Sequence, residues 1–153
     1  MKQFILAVLA TALLGTSAIQ ANEKAEISQL QVRLSTKGND IAFDQTAIQV
    51  PFGKKVQLKF SNEAAKGSEI LHNVAILKPG TIDEVLKELQ ANGYDIAKMR
   101  TNKSVIVMTK ALEPGAQETL EFLPAEPGLY PYICLMAGHA DMLGMKGLLS
   151  VKK

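Results

Sequence analysis

Cysteine, histidine and any surplus of charge are all scarce in this sequence. Its 153 residues include one cysteine and two histidines. A single cysteine excludes an internal disulfide. The 17 basic and 15 acidic side chains leave a formal charge of only +2. That balance excludes the clustered basic face on which a nucleic-acid binder depends. The apolar stretch from Phe4 to Leu14, broken once by Thr11, falls short of the about 20 residues that a membrane-spanning helix needs. No internal repeat and no low-complexity linker divides the chain, whose length suits one domain.

What the first residues do carry is a three-part export pattern. Met1-Lys2-Gln3 gives a positive start, the apolar stretch follows, and small and polar residues run from Gly15 to Ala21. This is the layout of a secretory signal peptide. It predicts removal of residues 1–21, by cleavage after Ala21 or Ala18, and a domain over residues 22–153 that works in the periplasm or is secreted. A buried N-terminal helix fits the charge placement less well. No cysteine near the junction offers a lipid anchor there. Cys134 then stands alone in an oxidising compartment, where an idle thiol is a liability. It is either buried and inert or it does chemistry.

Most of the remaining chain has the period of β-strands. Leu30, Val32 and Leu34 alternate with Gln29, Gln31 and Arg33; Val56, Leu58 and Phe60 alternate with Lys55, Gln57 and Lys59. Leu120 and Phe122 repeat the pattern, and Ser104–Met108, Tyr130–Cys134 and Leu148–Val151 are further strands. Pro51, Pro79, Pro114, Pro124 and Pro127 fall near strand boundaries, where a missing amide does least harm. One segment departs from this period. Ile82, Val85, Leu86 and Leu89 have helical spacing behind Thr81-x-x-Glu84, which fits a capping box, and Asn92-Gly93 offers a stop. The expectation is an all-β Greek-key sandwich with one inserted helix near 81–92 that covers one side.

The chemistry concentrates in Cys134-Leu135-Met136-Ala137-Gly138-His139, which follows a strand. A thiolate joined by two neutral imidazoles, with a long axial thioether, is the arrangement that suits copper. A loop after a strand can turn Cys134 and His139 toward one point. The second imidazole must be His72, the only other histidine. Strand parity places His72 on one face with Ile70, Val74 and Ile76, the side turned to the core. Taken alone, an inward histidine is more often a hydrogen-bonded core residue; beside the Cys–His loop, the ligand reading prevails. A cysteine protease normally takes its histidine from far along the chain and orients it with Asn or Asp. Zinc held by two His and one Cys remains an alternative, although Asp141 is the only carboxylate near the loop and methionines crowd it.

In this order the segments resemble the cupredoxins, the type 1 blue copper family, and are most similar to azurin and bacterial azurin/plastocyanin-like proteins. The resemblance rests on Gly38-Asn39-Asp40-x-x-Phe43 and Ala47-Ile48-x-Val50 early in the chain, and on His72-Asn73 in the middle. It continues through Tyr130-x-Tyr132-x-Cys134-x4-His139 and Met145-Lys146-Gly147-Leu148 near the end. It implies an eight-stranded Greek-key sandwich with His72, Cys134 and His139 as equatorial ligands of one copper ion, cycling between Cu(I) and Cu(II). Asn73 would stand behind the ligands and tie the two ligand segments together.

The axial ligand departs from the family's spacing. Azurin separates its last two ligands as His-x3-Met and plastocyanin as His-x4-Met. Here His139-x2-Met142 is shorter and His139-x5-Met145 longer. Met145 is preferred because Met-Lys-Gly and the apolar strand after it keep the family's register; Met142 is then a loop residue, as is Met136. Leu71 replaces the glycine that precedes azurin's first ligand. Leu135 replaces the Ser or Thr usual after the cysteine, so the link to Asn73 must run through backbone.

The resemblance implies single-electron transfer between redox partners in the periplasm, by a carrier and not an enzyme. Partners would be proteins docking transiently near His139, with no nucleic acid, no stable membrane insertion and a monomeric carrier. The alternative is an exported copper-binding protein for delivery or storage, since Met136, Met142 and Met145 suit soft Cu(I).

Overall fold

The computed structural model describes residues 28–153. The predicted signal peptide, and residues 22–27 of the predicted domain, lie outside the described residues. Eight strands form in chain order: β1 (Gln29–Ser35), β2 (Ala47–Pro51), β3 (Lys55–Ser61), β4 (Ala75–Leu77), β5 (Val105–Met108), β6 (Gln117–Phe122), β7 (Gly128–Ile133) and β8 (Lys146–Lys152). They build a three-stranded sheet, β1-β3-β6, and a five-stranded sheet, β2-β8-β7-β4-β5. The pairs β1·β3 and β2·β8 are parallel and the others antiparallel. This is the Greek-key sandwich that the alternating segments imply.

Register turns the alternation into a core. Leu30 pairs with Val56 and Val56 with Phe122; Val32 pairs with Leu58 and Leu58 with Leu120. The opposite sheet contributes Ile48, Val50, Ile76, Tyr130, Tyr132, Leu149 and Val151 to the same buried cluster. Each large apolar side chain buried there contributes about 1.5–3 kcal/mol. Phe43 bridges the layers edge-on, with ring centroids 5.9 Å from Phe60 and 5.3 Å from Tyr132. Tyr132 lies over Gly147, its β8 partner, and its hydroxyl donates to the Gln45 carbonyl at 2.7 Å. Any Cβ at Gly147 would fall on the Tyr132 ring.

The central strands β4 and β7 are apolar on both faces because a second layer covers the outside. Helix α1 (Ile82–Ala91) buries Val85 and Leu89 against Ala75, Leu77, Ile133 and Leu135. The helix expected near 81–92 is thus present and covers one side of the sandwich. Its start differs from the capping box. Thr81 has φ −104° and ψ 7°, and its hydroxyl donates to the Lys78 carbonyl at 2.9 Å, away from the helix amides. Asp83 and Glu84 in the first turn still complement the helix dipole.

The predicted stop is present in full. Gly93, at φ 67°, donates to Gln90, and Tyr94 donates to Leu89, which is a Schellman closure. A single further turn, α2 (Ile96–Met99), follows and buries Met99 in the same layer.

Candidate metal centre

His72 approaches the core from a segment that is barely strand. It forms one bridge with Leu112, its amide donating to the Leu112 carbonyl at 3.2 Å and its carbonyl accepting from the Leu112 amide at 2.7 Å. The inward parity holds from His72 through Val74 to Ile76, all buried in or against the inter-sheet core. It stops before Ile70, which is only partly buried, because Glu69 adopts φ 58° and breaks the extended run. Asn62 holds this segment from behind. Its fully buried amide nitrogen donates to the carbonyls of Ile70 at 2.8 Å and Leu112 at 2.9 Å.

Cys134 directly follows β7, its amide donating to the Met145 carbonyl at 3.1 Å. Between those two residues the chain leaves the sheet and bonds to itself. His139 donates to Met136 at 3.0 Å, Met142 and Leu143 both donate to Gly138 at 3.2 and 3.0 Å, and Met145 donates to His139 at 2.8 Å. Gly138 and Gly144 supply the positive φ values, 78° and 74°, that this tight path requires. The His139 backbone is therefore fixed through both its amide and its carbonyl.

The three predicted side chains converge. Cys134 Sγ lies 3.3 Å from His139 Nδ1 and 3.9 Å from His72 Nδ1. One ligand atom from each residue lies within 4.8 Å of the others, and the imidazole centroids are 4.9 Å apart. His72 and Cys134 are buried, whereas His139 is partly exposed. Burial lowers the His72 pKa to about 4, with a smaller contribution from the nearby His139, and burial also lowers that of His139. Both rings are thus neutral at pH 7, the form that binds metal. Burial pushes the Cys134 thiol up to about 11, while the backbone amides of Asn73 and Met136 pull it down. A metal ion must therefore displace the thiol proton.

This donor set fits copper. Two neutral imidazoles and one soft thiolate converge without a carboxylate among them. A hydrolytic zinc site keeps a position open to water, but here two of the three donor residues are fully buried. Met145 is 1% exposed and shares the buried cluster of Cys134, whereas Met142 is 79% exposed. Met136 is partly buried against that cluster. Asn73 is fully buried, and its side-chain oxygen accepts from the Leu135 amide at 2.7 Å. The link between the two segments runs through backbone on the Leu135 side, as Leu135 requires.

Several supporting residues had no sequence signal. Thr109 exchanges two hydrogen bonds with Val74, from side chain and backbone, at 3.1 and 3.0 Å. Asp141, named only as a carboxylate near the loop, accepts from Tyr94 Oη at 2.5 Å and Gln90 Nε2 at 2.9 Å. The Tyr94 bond lowers the Asp141 pKa, and the same bond raises that of Tyr94. Such pairs lie too far apart in sequence for periodicity to join them.

Comparison with known proteins agrees with this geometry. Residues 30–152 match the sequence profile of the copper binding proteins of the plastocyanin/azurin family. Auracyanin-A of Chloroflexus aurantiacus is 28% identical over 116 residues, spanning 73% of this chain and 69% of that protein. The crystal structure of dithionite-reduced auracyanin from the photosynthetic bacterium Roseiflexus castenholzii has a TM-score of 0.68 at 26% identity, over 82% of this chain and 99% of that one. Auracyanin A, a blue copper protein from Chloroflexus aurantiacus, gives 0.69 at 23% identity, over 82% and 100% of the two chains. At that lower identity the likeness is one of fold. A matched sequence profile, a shared sandwich and a convergent His-Cys-His donor set place the chain in the plastocyanin/azurin family of cupredoxins, the blue copper electron-transfer proteins, with one copper ion as its cofactor.

Proposed function

We propose that this cupredoxin is an exported, monomeric carrier that shuttles single electrons between transient protein partners in the periplasm, with no enzymatic step of its own. His72, Cys134 and His139 would hold the copper, with the Met145 thioether as a fourth donor, and Asn73 would tie the two ligand segments together. The copper ion supplies a one-electron Cu(I)/Cu(II) couple. The chain's residues keep that centre dry and fixed in place. His72 and Cys134 are sealed in the inter-sheet core, and the Asn62, Asn73 and Thr109 hydrogen bonds hold their segments.

The observation that carries this reading is the unequal exposure of the donors. His139 alone among the three reaches the surface, on the same loop as the exposed apolar side chains of Met142 and Leu143, whose amides bond to the neighbouring Gly138. A partner that covers this patch comes within reach of one imidazole edge and excludes water from it. Small, transient interfaces of this kind suit redox partners. The N-terminal export pattern supports a periplasmic or secreted location, and among the described residues no helix is long and apolar enough to cross a membrane.

Loading the purified protein with Cu(II) tests the proposal. An intense visible thiolate-to-copper band, abolished by Cys134→Ser, is the expected result. A colourless protein that binds only Cu(I) would instead favour copper delivery or storage, for which the exposed Met142 thioether is the motivating observation.

A further inference from the structure

The ligand loop between Cys134 and Met145 has few ties to the rest of the molecule. Its backbone hydrogen bonds from Met136 to Gly144 close on the loop itself, apart from the Gly144 carbonyl, which accepts from Lys146 at the start of β8. Among the described residues, apart from the Leu135 amide's bond to Asn73 at the loop's start, its side-chain hydrogen bonds to other elements all run through Asp141. That residue stands two positions after His139 and four before Met145.

Both donors to Asp141 come from the helical insertion. Gln90 lies in the last turn of α1, and Tyr94 in the Schellman closure behind it. They meet on the same oxygen, Oδ2, at 2.9 and 2.5 Å, while Oδ1 accepts from the Met142 amide at 3.1 Å. One carboxylate thus joins the helix end to the loop backbone. Tyr94 reaches it from φ 60°, a left-handed conformation unfavourable for a residue with a bulky side chain. The Tyr94 amide, bound to Leu89 at 2.8 Å, holds that conformation.

The loop also rests on the insertion through apolar contact. Leu135, next to Cys134, and Ala140, next to His139, are buried with Val85, Leu89 and Met99 in the outer layer. The insertion is therefore a seat for the loop as well as a cover for the sheet.

We infer that Tyr94 and Gln90 are positioning residues for the metal centre, fixing the loop that carries His139 by holding the carboxylate of Asp141 against the helix end. This rests on the copper reading only for its effect on electron transfer; the clamp itself is a property of the chain. With the clamp made, the His139 segment has one seat. Without it, the loop keeps its internal bonds, its apolar contacts and the Leu135 amide's bond to Asn73 at its start, and the segment around His139 samples further arrangements.

Two measurements on Tyr94→Phe and on Tyr94→Phe/Gln90→Ala test this. In the metal-free protein, amide exchange at Met142 and Leu143 is expected to accelerate about tenfold, as loss of a hydrogen bond to a charged group implies. Exchange at Leu58, in β3, should stay unchanged. In the copper-loaded protein, electron self-exchange should slow and the Cu(II) electron paramagnetic spectrum should change. Thr81→Ala, at the far end of α1, should leave both as they are.

Unchanged loop exchange in the double variant would overturn the clamp. Faster loop exchange with an unaltered copper spectrum and self-exchange rate would overturn the positioning role and leave only a structural one. A wild-type protein that forms no blue site would count against the copper reading, while the exchange measurement still decides the clamp.

Discussion

Asn73 accepts the Leu135 amide at 2.7 Å across 62 positions of sequence, with both residues fully buried. The bond joins the residue after one imidazole to the residue after the thiol. It therefore fixes the distance between two ligand-bearing segments that belong to different connections of the sandwich. In the family resemblance this tie would include a hydroxyl after the cysteine. Leu135 offers none, so the bond to its backbone carries the link.

Asn73→Ala is expected to lower the stability of the metal-free protein by about 1–3 kcal/mol, the cost of a buried amide left without its acceptor. Urea unfolding of the apoprotein measures this. Copper affinity should fall as well, by about 10- to 100-fold, as loss of a ligand-orienting neighbour typically does. Competition with a chelator reads that change, and an affinity equal to wild type would show that the tie does not orient the donors.

Gly147 is held to glycine by Tyr132. A methyl group there would fall on the ring, whose hydroxyl is bound to Gln45 and whose faces are packed in the core. Gly147→Ala should therefore destabilise by about 1–3 kcal/mol through overpacking. Combining it with Tyr132→Leu should cost less than the two changes added together, because the second removes the obstacle created by the first. Thermal unfolding of the three variants and wild type checks the cycle.

The residues that were legible in sequence share a local signal. Strands β1, β3 and β6 face the core on one side only, so Leu30 to Leu34, Val56 to Phe60 and Leu120 to Phe122 display a period of two. Cys134 and His139 share one loop, and the scarcity of histidine pointed to His72. Strand β4 is buried on both faces, and its apolar run hid how short it is and where His72 leaves it. Helix α2 has four residues, too few to show a period. Thr81 had the right spacing for a cap, but the choice its hydroxyl makes between the helix amides and Lys78 depends on the backbone of the preceding turn. Asn62, Thr109 and the Asp141 clamp act across long separations, which no local pattern records.

A surface pair offers a pH test away from the metal. Glu121 is bonded to Lys55, Gln57 and Gln29 on the outer face of the three-stranded sheet, and the Lys55 bond is the main cause of its lowered pKa. A carboxylate with a depressed folded pKa contributes stability above its unfolded value, and that contribution is lost as pH falls through the folded value. NMR titration should place the Glu121 midpoint below the ordinary glutamate value, and Lys55→Met should move it upward. A midpoint indifferent to Lys55 would dissolve the pair. Its solvent exposure keeps the effect on overall stability small.

The choice of axial ligand separates two methionines whose spacing from His139 matches neither family pattern, and for which the register of Met145-Lys146-Gly147 favours Met145. Met145 is bound to His139 and Cys134 through its own backbone and lies within the buried cluster of the thiol. Met142 sits on the outer turn with its side chain 79% exposed, and its sulfur would lie 3.4 Å from a Cβ built on Gly138. Axial identity tunes the potential of a copper–thiolate site. Met145→Gln should therefore shift the visible spectrum and the reduction potential of the copper-loaded protein more than Met142→Gln does. Met142→Gln should act mainly on the outer surface, weakening association with a redox partner at the His139 patch while leaving the spectrum close to wild type. The opposite ranking in the spectra would move the axial role to Met142, and the loop would then have to fold inward over His139 for its thioether to reach the metal.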